Sequence, residues 1–207
     1  LQRVYDAVIF DLGGVLIAFD PLGFARRIEA DPGDALRLKR AVFGTHTWLD
    51  LDQGLLTEEA AQARIIADNP EDADAIRSLF HRYKDFLLPI PAGVAILEHV
   101  KRSGLQAFAL TNFGAEAWDV VRKRDAYLAL FDGIVVSSEE QLLKPDPAIF
   151  HALLDRYSLE PKRCLYTDDT PINVEVARSV GLVGIHFENH AQLLQTLTDR
   201  GIFEAAG

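Results

Sequence analysis

The chain has 207 residues, 49% hydrophobic and 25% charged, and a formal charge of −10 from 21 basic and 31 acidic side chains. That balance excludes a disordered or fibrous polypeptide, and a chain this long buries enough surface to fold without disulfides. The negative charge opposes nucleic-acid binding, no apolar run reaches the ~18 residues of a membrane span, and the single Cys164 excludes an internal disulfide framework.

A cytoplasmic protein is therefore expected, monomeric or homodimeric, with neither nucleic acid nor membrane as partner. Leu1 is not an initiator methionine, so the natural start is expected upstream. Val4–Phe10 is a nearly continuous apolar run, the pattern of a strand covered on both faces. It leads into Asp11-Leu12-Gly13-Gly14-Val15. Residues 17–87 then carry no strand pattern but several amphipathic helical ones. Asp20 before Pro21 reads as an N-cap, as does Thr57 before Glu58 and Glu59. Phe24, Ile28, Leu36, Leu38, Val42, Phe43 and the stretches Ala60–Ile66 and Ile76–Phe86 supply apolar positions. Phe43 and Trp48 are expected in the core of this helical insert.

Beyond the insert, short apolar runs recur at Leu105–Leu110, Gly133–Val136, Cys164–Tyr166 and Val183–Phe187. Helical patterns separate them. One covers Pro91–Ser103 and ends at Gly104; one follows Asp146-Pro147; one follows Thr170-Pro171 and stops at Gly181. Strand–helix alternation predicts a doubly wound, Rossmann-like α/β core with a parallel sheet and an all-helical insertion after the first strand. The expected division is residues 1–16 and 88–207 for the core and 17–87 for the insert.

Ligands in open α/β sheets sit beyond the carboxyl ends of the strands. The residues found there are Asp11 after the first run, Thr111-Asn112 after the second, Lys144 before Pro145 after the third, and Asp168-Asp169 after the fourth. Carboxylates gathered at one edge repel one another, and a hard divalent cation such as Mg²⁺ relieves this. A carboxylate so held can attack phosphorus and form an acyl phosphate.

The ordered set Asp11, Thr111, Lys144-Pro145 and Asp168-Asp169 resembles the four motifs of the haloacid dehalogenase-like hydrolase superfamily, and the insert resembles its C1-type cap. The segment FDLGGVL resembles the branch near glucose-1-phosphate phosphatases and epoxide-hydrolase N-domains. The resemblance implies a phosphatase acting on a small phosphorylated substrate. It implies Asp11 as nucleophile and Mg²⁺ ligand, the Gly13 carbonyl and Asp169 as further ligands, and Asp168 as an outer or secondary one. It implies Thr111 and Asn112 as phosphoryl-group binders, with Lys144 as the orienting cation. Alternatives are a 2-haloacid dehalogenase, disfavoured by the Asp168-Asp169 pair, and a catalytically impaired binding protein. A response-regulator-like receiver is opposed by the insert and by where the acid pair lies.

One position departs from the family pattern. Most phosphatases of the superfamily carry an aspartate two residues after the nucleophile, as proton donor and base; here that position is Gly13. General acid–base help is worth about 10²–10⁴-fold. Either the substrate has a leaving group that needs little protonation, such as a sugar 1-phosphate, aryl or acyl phosphate, or the cap supplies the acid, from His46, Asp50 or Asp52.

Overall fold

The computed structural model describes residues 4–203, so the outermost ends of the expected core, and Leu1, lie outside the described residues. Five strands form: β1 Ala7–Phe10, β2 Gln106–Thr111, β3 Gly133–Val136, β4 Cys164–Asp168 and β5 Val183–His186. They make one sheet in the order β3-β2-β1-β4-β5, every pairing parallel. β1 begins later than its apolar run because both neighbours begin at its level: Ala7 sits opposite Gln106 and Cys164, and Val4 is exposed.

Alternation along the strands sends side chains into two cores. Val8, Phe10, Ala107, Ala109 and Leu165 face one side; Ala7, Ile9, Phe108, Leu110 and Tyr166 face the other. The first side is covered by α6 Pro91–Arg102, α7 Ala115–Arg124 and α11 His190–Asp199, the second by α9 Pro147–Arg156 and α10 Pro171–Ser179. A parallel sheet buried on both faces explains why its strands read as unbroken apolar runs. α8 Ser137–Glu140 is a single turn after β3.

The insertion is all helix: α1 Pro21–Arg26, α2 Pro32–Val42, α3 His46–Asp52, α4 Glu58–Asp68 and α5 Ala73–Phe86, with a 3₁₀ turn at Pro70–Asp72. Side-chain caps start four of these helices. Asp20 accepts from Gly23 N–H, Asp31 from Gly33 and Asp34 N–H, Thr45 from Trp48 N–H and Thr57 from Ala60 N–H. Rings of Phe24, Phe43, Trp48, Phe80, Tyr83 and Phe86 fill the cap, with Phe43 and Trp48 centroids 4.6 Å apart. The two connections to the core pair with each other: Ala18 N–H donates to Leu88 O at 2.8 Å and Ile90 N–H to Leu16 O at 2.7 Å. No helix of the described residues is long and apolar enough to cross a membrane.

Candidate active site

Parallel strands bring their carboxyl ends to one edge, and strand order reverses where β1 lies between β2 and β4. Asp11 follows β1, Thr111 ends β2, Asp168 ends β4, and Lys144 comes from the loop after α8. Four segments distant in sequence therefore meet.

Lys144 is at the centre. Its ammonium donates to Asp11 Oδ1 at 2.8 Å, Asp168 Oδ2 at 2.7 Å and the Leu110 carbonyl at 3.0 Å, so all three N–H groups are used. Burial opposes its charge, but Asp11 and Asp168 outweigh burial and hold its pKa above the usual lysine value. The Asn112 amide fixes the Lys144 backbone: its Nδ2 donates to the Lys144 carbonyl and its Oδ1 accepts from the Lys144 N–H, each at 2.9 Å.

The two acids that share this ammonium are not equivalent. Asp168 is fully buried, and burial alone would raise its pKa. Lys144 opposes that, joined by the Tyr166 hydroxyl, the Thr170 backbone N–H at 2.8 Å and the Asn173 amide at 3.1 Å to each oxygen. These donors hold it below the ordinary carboxylate range. Asp11 accepts from the Leu12 N–H, at 2.7 Å, beside Lys144. Burial raises its pKa, Lys144 opposes, and the negative charges of Asp168 and Asp169 raise it further. Lys144 therefore compensates Asp11 only in part.

Asp169, the most open of the three acids, is likewise raised, by partial burial and by Asp168. It lies over the loop after β1. A Cβ at Gly14 would sit 2.3 Å from Asp169 Oδ2, and Gly14 has φ +74°, so glycine is required there on both counts. Ligand atoms of Asp11, Asp168 and Asp169 all lie within 4.8 Å of one another. Three carboxylates against one ammonium leave two negative charges, and every donor is a hard oxygen, so the residues present fit a divalent cation such as Mg²⁺.

Beside this cluster is a cavity of about 220 Å³ between core and cap. Asp11, Gly13, Asn112, Lys144, Asp169 and Asn173 form its core wall; Phe19, Trp48, Asp52, Tyr83 and Leu87 form its cap wall. Trp48, expected only as cap core, thus also faces the cavity. Thr111 and Asp168 do not line it; they are buried at the strand ends behind it. Of the three cap residues considered as acids, only Asp52 reaches the wall. His46 is exposed, and Asp50 pairs with Arg64 at 3.1 Å.

Asn173, Tyr166 and Tyr83 were not anticipated from the sequence. Asn173 lies one turn into α10 behind Asp168-Asp169, a position that strand-end reasoning passes over; Tyr166 reads simply as an apolar strand residue. Asn173→Ala is expected to lower stability by about 1–3 kcal/mol, because Asp168 loses a buried donor to both oxygens. Urea denaturation of the metal-free protein measures this.

The family model of haloacid dehalogenase-like hydrolases matches residues 5–181. The chain belongs to that family. This haloacid dehalogenase-like hydrolase is 25% identical to the sesquiterpene phosphatase astK of Aspergillus oryzae, over 88% of this chain and 89% of that protein. It is 26% identical to the phosphorylated carbohydrates phosphatase of Thermotoga maritima, over 90% of this chain and 86% of that one. In fold the hydrolase resembles the HAD family enzyme bt-2542 of Bacteroides thetaiotaomicron, crystallised with magnesium and inorganic phosphate. The TM-score is 0.70 at 22% identity, covering 91% of this chain and 98% of that one.

Proposed function

We propose that this hydrolase is a Mg²⁺-dependent phosphomonoesterase acting on a small phosphorylated metabolite through an aspartyl-phosphate on Asp11. The observation that carries this is the buried Asp11 carboxylate, oriented by Lys144 at 2.8 Å on the cavity wall, with two further acids within 4.8 Å. Asp11, Asp169 and the Gly13 carbonyl are the proposed ion ligands. Asp168 takes an outer place, since Lys144, Tyr166, Thr170 and Asn173 already occupy its oxygens. Bound Mg²⁺ supplies charge neutralisation at the phosphoryl group. Asp11 attacks phosphorus and expels the alcohol; water then hydrolyses the acyl phosphate and restores the carboxylate. Asn112, on the cavity wall with Thr111 at the strand end behind it, marks the place proposed for the phosphoryl oxygens, and Lys144 offsets the charge that Asp11 brings to them.

Residues 1–16 and 88–207 act as the catalytic core and 17–87 as the cap, a division supported by the paired connections at Ile17 and Pro89. Apart from Asp52 the cap wall is apolar or aromatic (Ile17, Phe19, Trp48, Tyr83 and Leu87) and, among the described residues, contributes no lysine or arginine. It therefore suits an uncharged leaving group with an apolar or aromatic face better than a polyhydroxylated sugar. A volume of about 220 Å³ is roughly seven times a liquid water's share, room for a phosphoryl group and a small ring or short chain. The A. oryzae relative, a sesquiterpene phosphatase, offers precedent for an apolar leaving group. The buried, unpaired Cys164 is compatible with a reducing cytoplasm.

Phosphate release from a panel of phosphomonoesters, with and without EDTA, tests the proposal. Chelation is expected to lower the rate more than 100-fold and added Mg²⁺ to restore it, in keeping with the several kcal/mol a metal contributes. Halide release from 2-chloropropionate that ignores the chelator, or no phosphate from any ester, would overturn it.

A further inference from the structure

We infer that Asp52, on the cap, is the proton donor to the leaving group and then the base for hydrolysis of the intermediate, the work for which residue 13 has no side chain. The inference rests on the phosphatase function proposed above and on the placement of one residue. Asp52 is the last residue of α3, and it lines the same cavity as Asp11, Lys144 and Asp169.

Contacts with the core hold it there. The Ser137 hydroxyl donates to the Asp52 backbone carbonyl and accepts from Phe113 N–H at 2.9 Å, so a single side chain links the cap residue to the loop after β2. Next in the chain, Gln53 Nε2 donates to the Gln141 carbonyl at 2.8 Å. One residue on, a Cβ at Gly54 would lie 2.5 Å from the Ser138 carbonyl, and Gly54 has φ +75°, so only glycine allows this close docking of cap on core.

The carboxyl group itself is bonded by the Trp48 side chain and by the backbone N–H of Gly114. Gly114 is three residues beyond Thr111, a span of at most about 10 Å. Both donors are neutral, and no salt bridge to Asp52 occurs among the described residues. Burial outweighs the two hydrogen bonds and pushes its pKa up to about 7, although the residue keeps some access to water through the cavity. The charged and titratable groups around it do not reverse this. Tyr83 of α5 is bonded to Glu58 of α4 and lies near Glu116 of α7, and Asp11, Asp169 and Lys144 line the core wall. A carboxyl group poised near neutrality is populated in both the forms that donor and base need.

The steps balance. As the Asp11 oxygen bonds to phosphorus and the ester P–O bond breaks, the Asp52 carboxyl gives its proton to the departing oxygen, leaving an alcohol and a carboxylate. That carboxylate then takes a proton from the water whose oxygen attacks the aspartyl phosphate. The Asp11–phosphorus bond breaks, phosphate leaves, and both side chains return to their starting forms.

The test compares an alkyl with an aryl phosphate, with Mg²⁺ present. The alkyl ester has the more basic leaving group and so the greater need of a donor. In Asp52→Asn, kcat/KM for the alkyl ester is expected to fall about 10²–10⁴-fold, at least tenfold more than for the aryl ester. The decline of the wild-type alkyl rate above pH about 7 should vanish with it. Asp50→Asn, away from the cavity, is the control and should leave both rates unchanged. Gly13→Asp in the Asp52→Asn background should recover part of the alkyl rate, since a Cβ at 13 meets only Phe19 Cβ, at 3.8 Å. Equal losses on both esters, no loss on either, or no recovery by Gly13→Asp would overturn the role of Asp52 while leaving the phosphatase function standing. Absence of phosphate release by the wild type would overturn both. A melting temperature for Asp52→Asn at or above that of the wild type at pH 8 is expected, because the variant no longer buries a carboxylate, and it separates lost chemistry from lost fold.

Discussion

Asp11→Asn is expected to abolish turnover, by about 10⁴–10⁶-fold, with the fold intact. The variant keeps the size and shape of the side chain but replaces the attacking oxygen with a neutral amide group, and loss of a nucleophile costs about this much where measured. Stability should hold or rise in the metal-free protein. Burial and the charges of Asp168 and Asp169 all disfavour a carboxylate at this place, against Lys144 and the Leu12 N–H. Phosphate release at saturating ester, alongside thermal melts of both proteins, measures both expectations. Turnover that survives at more than a hundredth of the wild-type rate would remove Asp11 from the chemistry.

Lys144→Met should damage stability and activity together. Its ammonium is the protein's own cation within the acid cluster, saturated by Asp11, Asp168 and the Leu110 carbonyl. Breaking a buried pair from one side leaves uncompensated charge, and costs about 3–5 kcal/mol. The pH window follows from the shifts. Asp168 is held below its ordinary 3.8, so its contribution is complete above that value and is lost as pH falls through its folded pKa. Lys144 is held above its ordinary 10.5, so its contribution is complete below that value and is lost only as pH rises beyond. The variant should therefore be weakest relative to wild type between about pH 4 and 10, and the gap should close in stronger acid. Mg²⁺ should raise the melting temperature of the variant more than that of the wild type, since the ion replaces missing positive charge. Equal melting temperatures at pH 7 would show that the cluster needs no internal cation.

The five strands were legible because a sheet covered on both faces forces unbroken apolar runs, and the five parallel strands fall on them. Helix starts were legible where a local rule applies, as at Asp146 and Thr57, whose side chains accept from Ala148 and Ala60 N–H. α7 and α11 carried no equally plain signal. α7 is strongly polar, and only Ala117, Trp118 and Val121 are buried. The sequence likewise placed Asp11, Asp168 and Asp169 at one edge, since the ends of parallel strands meet there, whereas Lys144 reaches them from the loop after α8. Asn173 and Tyr166 were not disclosed, because what makes them matter is the carboxylate they reach.

From local pattern alone, the chain's sequence determined that it forms a doubly wound α/β core with an all-helical insertion, and which segments end at the carboxyl edge of the sheet. It also determined that position 13 lacks a carboxyl group. Tertiary structure alone decided that Asp168 is surrounded by donors while Asp11 has few, that Trp48 and Tyr83 wall a cavity, and that Asp52 rather than His46 or Asp50 faces it. The physical reason is range. Helical and strand periodicity are properties of neighbours in sequence, whereas burial and the balance of charge depend on every group that folding brings within a few ångströms.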